Sequence, residues 1–391
     1  MGVPFDIALP DPDGSGNTWD TAVNGALNAV KARINNEAIA RGVPLDSFPG
    51  ANDDAKLAHA LSYVSQQTYK PAIVLGQRSM EFKQTRQVFN GLAFKGAITG
   101  NEFRYNQRVR ISVPGSGWLD LPSGQTKGLY IGNLSFEGDS DTTFFVDHGN
   151  TGPVLWASHF ENLAFNLFRH VMWGAHTAVT FSGFWDVNNS YDTPFKLWGS
   201  DNTYWTDGML IDSPKMGGGN RYHVWLPNIT KTVVGPIFIT AKSNICGIRL
   251  DGGRGIILDG VRFDAQAQAG NPTWGSQLLI TGGKFVRVRD CWFYGGMSQP
   301  NSTGHTNPAH DKGILTITGG TNILIDGPMF SDGDGSQPNK TAAGAPHIYI
   351  GGGSKIRIHD IQASGTPIVK RAPSVSANTI VTDPDVPVSV D

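Results

Sequence analysis

Apolar and polar positions along the chain fall into one short pattern that returns at long intervals. It is an apolar residue, two mostly polar or small ones, a second apolar residue, a spacer, and then usually Phe. The copies are Ile131-Gly-Asn-Leu134-Ser-Phe136, Phe160-Glu-Asn-Leu163-Ala-Phe165, Leu258-Asp-Gly-Val261-Arg-Phe263, Val288-Arg-Asp-Cys291-Trp-Phe293 and Ile325-Asp-Gly-Pro328-Met-Phe330, closed by a worn Ile358-His-Asp-Ile361-Gln-Ala363. Aligned on the Asn, Asp or Gly before the second apolar residue, the anchors are Asn133, Asn162, Gly183, Gly208, Gly260, Asp290, Gly327 and Asp360, separated by 29, 21, 25, 52, 30, 37 and 33 residues. The step of 52 is two steps with a disguised copy between. Such a period means stacked repeats. Strand-like alternation on both sides of a Gly, Asn or Asp corner makes each repeat one coil of β-strands. Stacked coils line up like positions into ladders, so the apolar slots point into a long narrow core where the Phe residues stack.

Other stretches break the pattern. Met1 to Gly16 is a Pro/Gly/Asp-rich arm. From Asn17, the residues Trp19, Val23, Ala26, Val30 and Ile34 fall at helical spacing, with Gly42 as a C-cap. That apolar stripe needs a cover, which copies of itself around a symmetry axis or the first coil would supply. A second helix starts at Asp53-Asp54, with Leu57, Leu61 and Val64 on one face, ahead of the buried strand Ile73-Val-Leu75. A helix laid over the end of a coil stack covers its open strand edges, so the acidic pair reads as a helix start and not a catalytic dyad. The expected division is 1–46 arm and helix, 47–128 capping helix and first strands, 129–365 coil stack and 366–391 C-terminal cap.

Composition agrees with this division. Gly is abundant, with 49 residues, and only 16% of residues are charged, as expected for recurrent corners and half-buried strands. A formal charge of −2 without a basic block gives no sign of nucleic acid as a partner. No run approaches a membrane span, and Pro4, Asp6 and Pro10 interrupt any signal peptide. A soluble protein made in the cytosol is expected, with Cys246 and Cys291 as reduced core residues.

The coil pattern, together with the helix Asp53-Asp54-Ala-Lys-Leu57 before Ile73-Val-Leu75, resembles the pectate-lyase-like right-handed parallel β-helix proteins, in particular bacteriophage tailspikes and tail fibres. The opening segment, Asn17-Thr-Trp19-Asp20 leading into Leu27-Asn28-Ala-Val30 and Arg33-Ile34-Asn35, resembles the virion-anchoring start of minor tail proteins. The resemblance implies an all-β right-handed parallel β-helix with short N-terminal helices. It also implies a homotrimer, attachment through the N-terminus to tail or baseplate proteins of the virion, and a host surface polysaccharide as ligand.

Chemistry is sparser in the sequence than architecture. Six of ten tryptophans, Trp156, Trp173, Trp185, Trp198, Trp205 and Trp225, lie within 70 residues together with Tyr191, Tyr204 and Tyr222. Large rings crowd a narrow core, so many should lie outside it, where aromatic faces stack on sugar rings. Trp173, Trp185, Trp198, Tyr204, Trp205 and Trp225 are therefore the glycan-binding candidates, with mutual burial at subunit contacts as the competing role. Glu161, Asp207, Asp259 and Asp326 occupy the polar slot before the anchor. Asp186 falls where other coils carry Phe, so its coil is bulged or it is buried for a purpose. Glycoside hydrolysis uses two carboxyls at a set separation, and Asp186 and Asp207, in neighbouring coils, are the catalytic pair to nominate. The paired-Asp and Gly-His-Gly motifs of β-helix polygalacturonases are absent. Asp11-Pro-Asp13-Gly-Ser15 and Asp332-Gly-Asp334-Gly-Ser336 open like calcium loops but have Ala22 and Ala343 where the bidentate Glu belongs. His159, His170 and His176 lack ligand spacing and read as polar wall residues. No metal and no cofactor are expected. The leading expectation is a tail fibre that recognises and possibly cleaves a host glycan; the alternatives are a structural tail protein without ligand and a secreted polysaccharide lyase or hydrolase.

Overall fold

The computed structural model describes residues 42–391 except 77, 97–108, 114, 140, 149–151, 184, 189–191, 199–202, 206–208, 214–221, 242–245, 265–275, 295–311, 332–345 and 365; at 185–186, 188, 203–205, 209–213, 240–241 and 264 it describes the backbone alone. The amphipathic segment 17–41 therefore lies outside the described residues.

Each coil has three faces of parallel strands. Face one climbs from Gln125–Lys127 through Val154–Trp156, Met172–Thr177, Phe195–Trp198 and Tyr222–Leu226 to Val388–Val390. Face two already starts at Val43–Pro44, paired with Ile73–Leu75 and then Ala93–Gly96, and ends at Ile380–Thr382. Face three runs from Met80–Phe82 to Gln362–Ala363. A short fourth side, Arg86–Gln87, Gly117–Asp120 and Thr143–Phe145, widens the lowest coils. All of these pairings are parallel.

The corner between faces two and three is the expected anchor. Asn133, Asn162, Gly183, Gly260, Asp290, Gly327 and Asp360 all have φ between 48° and 70°, the left-handed region that Gly, Asn and Asp tolerate best. Asn162 Nδ2 donates to Asn133 Oδ1 at 3.0 Å, so the corner amides form a ladder. It ends at Gly183, where a Cβ would collide with Asn162 Oδ1.

The register resolves two irregularities. Val234 pairs with Leu258 and Phe238 with Arg262, so the disguised copy inside the step of 52 has its anchor at Pro236. In the coil above Phe165, Glu161 pairs with Ser182 but Ala164 pairs with Asp186 and Phe165 with Val187. One extra residue separates Gly183 from Val187. Val187, which is buried, takes the slot of Phe165, so the coil is bulged at Asp186, of which the backbone alone is described.

The apolar slots are filled as the pattern requires: Ile131, Leu134, Phe136, Phe160, Leu163, Phe165, Leu258, Val261, Phe263, Val288, Cys291 and Phe293 are all buried. Cys246 and Cys291 are free thiols, and burial pushes Cys291 up to about 12. At the lower end the helix Asp53–Gln66 buries Leu57, Ala60 and Val64, with the Asn52 side chain capping Ala55 N at 2.8 Å. Its acidic pair fastens it to the first coil. Asp53 accepts from Glu81 N at 2.9 Å and pairs with Arg78, while Asp54 accepts from Lys83 N at 2.8 Å. Partial burial raises Asp53, but its bonds from Arg78 and Glu81 outweigh that and hold the carboxyl below its ordinary value.

Candidate functional site

Face two of the lower coils turns two polar positions per strand outward, and consecutive coils bring four of them together. Tyr130 and His159 occupy one rung position, and Glu161 and Ser182 the next position along the strand. The Tyr130 hydroxyl donates to Glu161 Oε1. His159 Nε2 lies 3.1 Å from Glu161 Oε2 and 3.2 Å from Ser182 Oγ. A carboxylate can only accept, so His159 Nε2 carries the proton in this contact. The Tyr130 and His159 rings are stacked, 5.9 Å between centroids and 16° between planes. Gly132, on the strand of Tyr130, makes the contact possible: a Cβ there would collide with the Tyr130 hydroxyl.

This arrangement polarises its members. Partial burial pushes the Glu161 carboxyl up, but the hydrogen bonds from Tyr130 and His159 outweigh it and hold the carboxyl below the usual range. Burial, followed by the hydrogen bond to anionic Glu161, raises the Tyr130 hydroxyl above its ordinary value. The side chains of Glu161 and His159 stay 32% and 39% exposed, so the cluster is open to a ligand. It combines a carboxylate base, an imidazole that can carry a proton, and a phenol donor, a set suited to general acid–base chemistry.

The nominated aromatic residues divide between face one and positions described by backbone alone. Trp173, Lys196, Trp225 and Arg249 share one rung position on face one. Lys196 Nζ lies 4.9 Å from the Trp173 ring, 4.4 Å from Trp225 and 5.4 Å from Trp198. Trp173 stacks on His170 at 3.5 Å, and its Nε1 donates to Thr193 O at 2.8 Å. Trp225 Nε1 donates to Asp251 Oδ2 at 2.7 Å, and Asp251 also holds Arg249 at 2.5 Å. Trp173 and Trp225 are half-buried, and Trp198 is buried. Alternation of ring and cation is thus what orders this ladder, each ring offering its face to a cation in the next coil. Of Trp185, Tyr204 and Trp205 only the backbone is described, and Asp207 lies outside the described residues, as does the second calcium-like loop.

Elsewhere the carboxylates of the polar slot are paired with side chains of neighbouring coils. Arg289 Nε binds Asp259 Oδ1 at 2.8 Å, Arg287 binds Asp326 at 2.9 Å, and His359 meets Asp383 at 3.0 Å. Asp290, Asp326, Asp360, Asp383 and Asp385 line a groove of about 570 Å³ at this corner. Among the described residues, no three His, Cys, Asp or Glu side chains converge as a metal site.

No protein-family model matches the sequence, and no curated protein is similar to it at a significant level. Solved structures do match. DFA-IIIase from Arthrobacter chlorophenolicus A6 in complex with GF2 superposes with a TM-score of 0.59 at 12% identity, covering 89% of this chain and 97% of that one. The same enzyme without its lid gives 0.58 at 13% identity, over 89% and 98%. The mannuronan C-5 epimerase AlgE4 A-module from Azotobacter vinelandii aligns over 89% and 97% at 11% identity, with a TM-score of only 0.44. The chain is a right-handed parallel β-helix. At these identities the likeness is one of fold, and fold does not fix chemistry.

Tyr130 is not among the candidates the sequence offers, and His159 reads there as a polar wall residue, yet both face this cluster. The signal was present: each directly precedes the first apolar slot of its coil, and 29 residues separate them, as they separate Asn133 from Asn162.

Proposed function

We propose that the protein is a carbohydrate-active β-helix that binds a glycan and acts on it by acid–base chemistry centred on Glu161, with His159 and Tyr130 as its proton-carrying neighbours. The observation that carries this reading is the half-exposed carboxylate held anionic between a phenol and an imidazole on a rigid strand face. A fold shared with DFA-IIIase, solved with GF2 bound, supports a saccharide as substrate. A single carboxylate base flanked by donors suffices for proton abstraction beside a sugar carboxyl or carbonyl. Hydrolysis needs a second carboxyl, for which Asp186 and Asp207 remain the candidates. The ladder of Trp173, Lys196, Trp198 and Trp225 offers an aromatic surface for glycan binding.

The test is turnover of a panel of bacterial envelope and plant polysaccharides, followed through new reducing ends and ultraviolet-absorbing unsaturated ends. Glu161→Gln should lower turnover about 10²- to 10⁴-fold with melting temperature unchanged. Undiminished turnover in that variant would remove Glu161 from the chemistry.

The resemblance of segment 17–35 to virion-anchoring segments favours a second reading, in which this β-helix is a trimeric phage tail fibre carried on the virion tail and directed at a host glycan. Light scattering should then give a trimer, and deletion of 1–42 should weaken virion attachment while leaving the coils folded. A monomer at micromolar concentration would sink the trimer.

A further inference from the structure

The corner between faces one and two of the upper coils repeats one backbone device and changes its side chain from rung to rung. Lys231, Gly255, Phe285, Asn322 and Lys355 all have left-handed φ, between 44° and 67°. The residues before them, Thr230, Arg254, Lys284, Thr321 and Ser354, stack in register. Gly and Asn suit this conformation, whereas a bulky aromatic side chain is strained in it. Phe285 nevertheless stands there, 51% exposed, its ring under the Arg254 guanidinium at 5.3 Å. It gives nothing to the core.

Cations gather around it. Arg254, Lys284 and Lys355 are exposed, as is Arg357 beyond the corner. None of these four has a carboxylate partner among the described residues, although Arg287 and Arg289, on the far side of the same face, are both paired. In a chain of net charge −2 this is a segregation of charge: one corner is acidic, with Arg287 and Arg289 paired to its carboxylates, and the other is basic and open. With strands about 4.8 Å apart, Arg254 and Lys355 are separated by three rungs, or roughly 14 Å along the axis.

We infer that this corner is a docking strip for an anionic polysaccharide laid along the helix axis, with Phe285 stacking on a sugar ring and Arg254, Lys284, Lys355 and Arg357 meeting its acidic groups. Cations on three of four successive rungs, with Thr321 and Asn322 on the one between, fit a linear polymer with charges at saccharide intervals, and the face of an aromatic ring fits the apolar face of a sugar. A single-stranded nucleic acid would call for a series of aromatic platforms, whereas this strip offers one. The strip takes from the preceding section only that the ligand is a glycan; it does not need Glu161 to be catalytic.

The experiment is titration calorimetry of the full chain with three probes: polygalacturonate, a phosphodiester-linked teichoic-acid polymer, and neutral dextran. Binding of at least one anionic probe, weakening as salt rises from about 50 to about 200 mM, is expected. The two anionic arms tell carboxylate from phosphate. Arg254→Ser/Lys284→Ser/Lys355→Ser should weaken binding by about tenfold or more. Phe285→Asn should weaken it several-fold while keeping or raising the melting temperature, because Asn relieves the left-handed strain. Glu161→Gln should bind as the parent does, so loss of turnover and loss of docking are read separately. Unchanged affinity in the triple variant, binding to dextran equal to that of the anionic polymers, tighter binding of single-stranded DNA, or no binding of either anionic probe at low salt would each overturn the strip.

Discussion

In the lower coils Trp118 lies among four aromatic rings, with Phe82, Phe94, Phe136 and Phe144 at centroid distances of 5.3 to 5.7 Å and tilts from 21° to 63°. In the upper coils Phe263, Phe293 and Phe330 stack in single file at 4.9 Å with planes only 5° and 14° apart. The difference follows from cross-section. A fourth side widens the lower coils, and the added volume is filled by large rings packed at mixed tilts. The upper coils repeat one narrow section, so each slot sees its own kind above and below. The open acid–base cluster sits on the irregular half, and the strip of unpaired cations on the regular one. Variation among neighbouring coils is what lets unlike residues such as Tyr130, Glu161 and Ser182 meet.

The largest effect should come from the packing itself. Trp118→Ala removes contacts with four rings and should cost about 5 kcal/mol, whereas Phe293→Ala opens a gap between two stacked rings and should cost about 3 kcal/mol. Chemical denaturation monitored at equilibrium checks the order. A reversed order would break the contrast between a wide core and a single-file one.

A smaller effect concerns the cluster. In Gly132→Ala the new methyl displaces the Tyr130 hydroxyl, and Glu161 loses that donor. Turnover should fall about 10²-fold, matched by Tyr130→Phe, with the acid limb of the pH–rate profile moved to higher pH as the Glu161 carboxyl returns toward its ordinary value. A loss of melting temperature with an unmoved profile would make Tyr130 a packing residue only.

The smallest concerns acid sensitivity of the lower half. His176 is buried in the apolar interior, neither ring nitrogen having a hydrogen-bond partner among the described residues, and burial depresses it from 6.5 to about 3. The unfolded chain therefore takes up a proton below pH 6.5 that the folded chain refuses. Stability contributed above that pH is lost progressively as pH falls toward 3, and burial of His170, which lowers it to about 4, acts in the same direction. His176→Leu should abolish about 2 kcal/mol of the loss between pH 7 and pH 5. An unchanged pH slope would place the acid sensitivity elsewhere.

What was legible in the sequence was what the backbone imposes. Left-handed corners select Gly, Asn and Asp, so Asn133, Asn162, Asp290 and Asp360 announced themselves. Pro236 hid its coil because proline imitates none of those residues, and Asp186 was displaced from its slot by one inserted residue that no composition signal marks. Glu161 was visible as a slot residue. Its contacts with Tyr130 and His159 were not legible, because the three residues become neighbours only through the register between coils. Lys196 escaped for the same reason: Trp173 and Trp225 reach it from the coils below and above, joining Trp198 of its own strand.

That register has a bearing on how such a chain can change its length. Leu278–Ile280 and Leu315–Ile317 are interchangeable rungs, so excising residues 281–317 would rejoin two apolar ladders without a seam. The outward positions are not interchangeable. The same excision removes Arg289 and sets Asp259 directly beneath Asp326. Charges on the surface thus number the coils that the interior leaves anonymous, and at this corner the loss of a coil shows as two like charges on adjacent rungs.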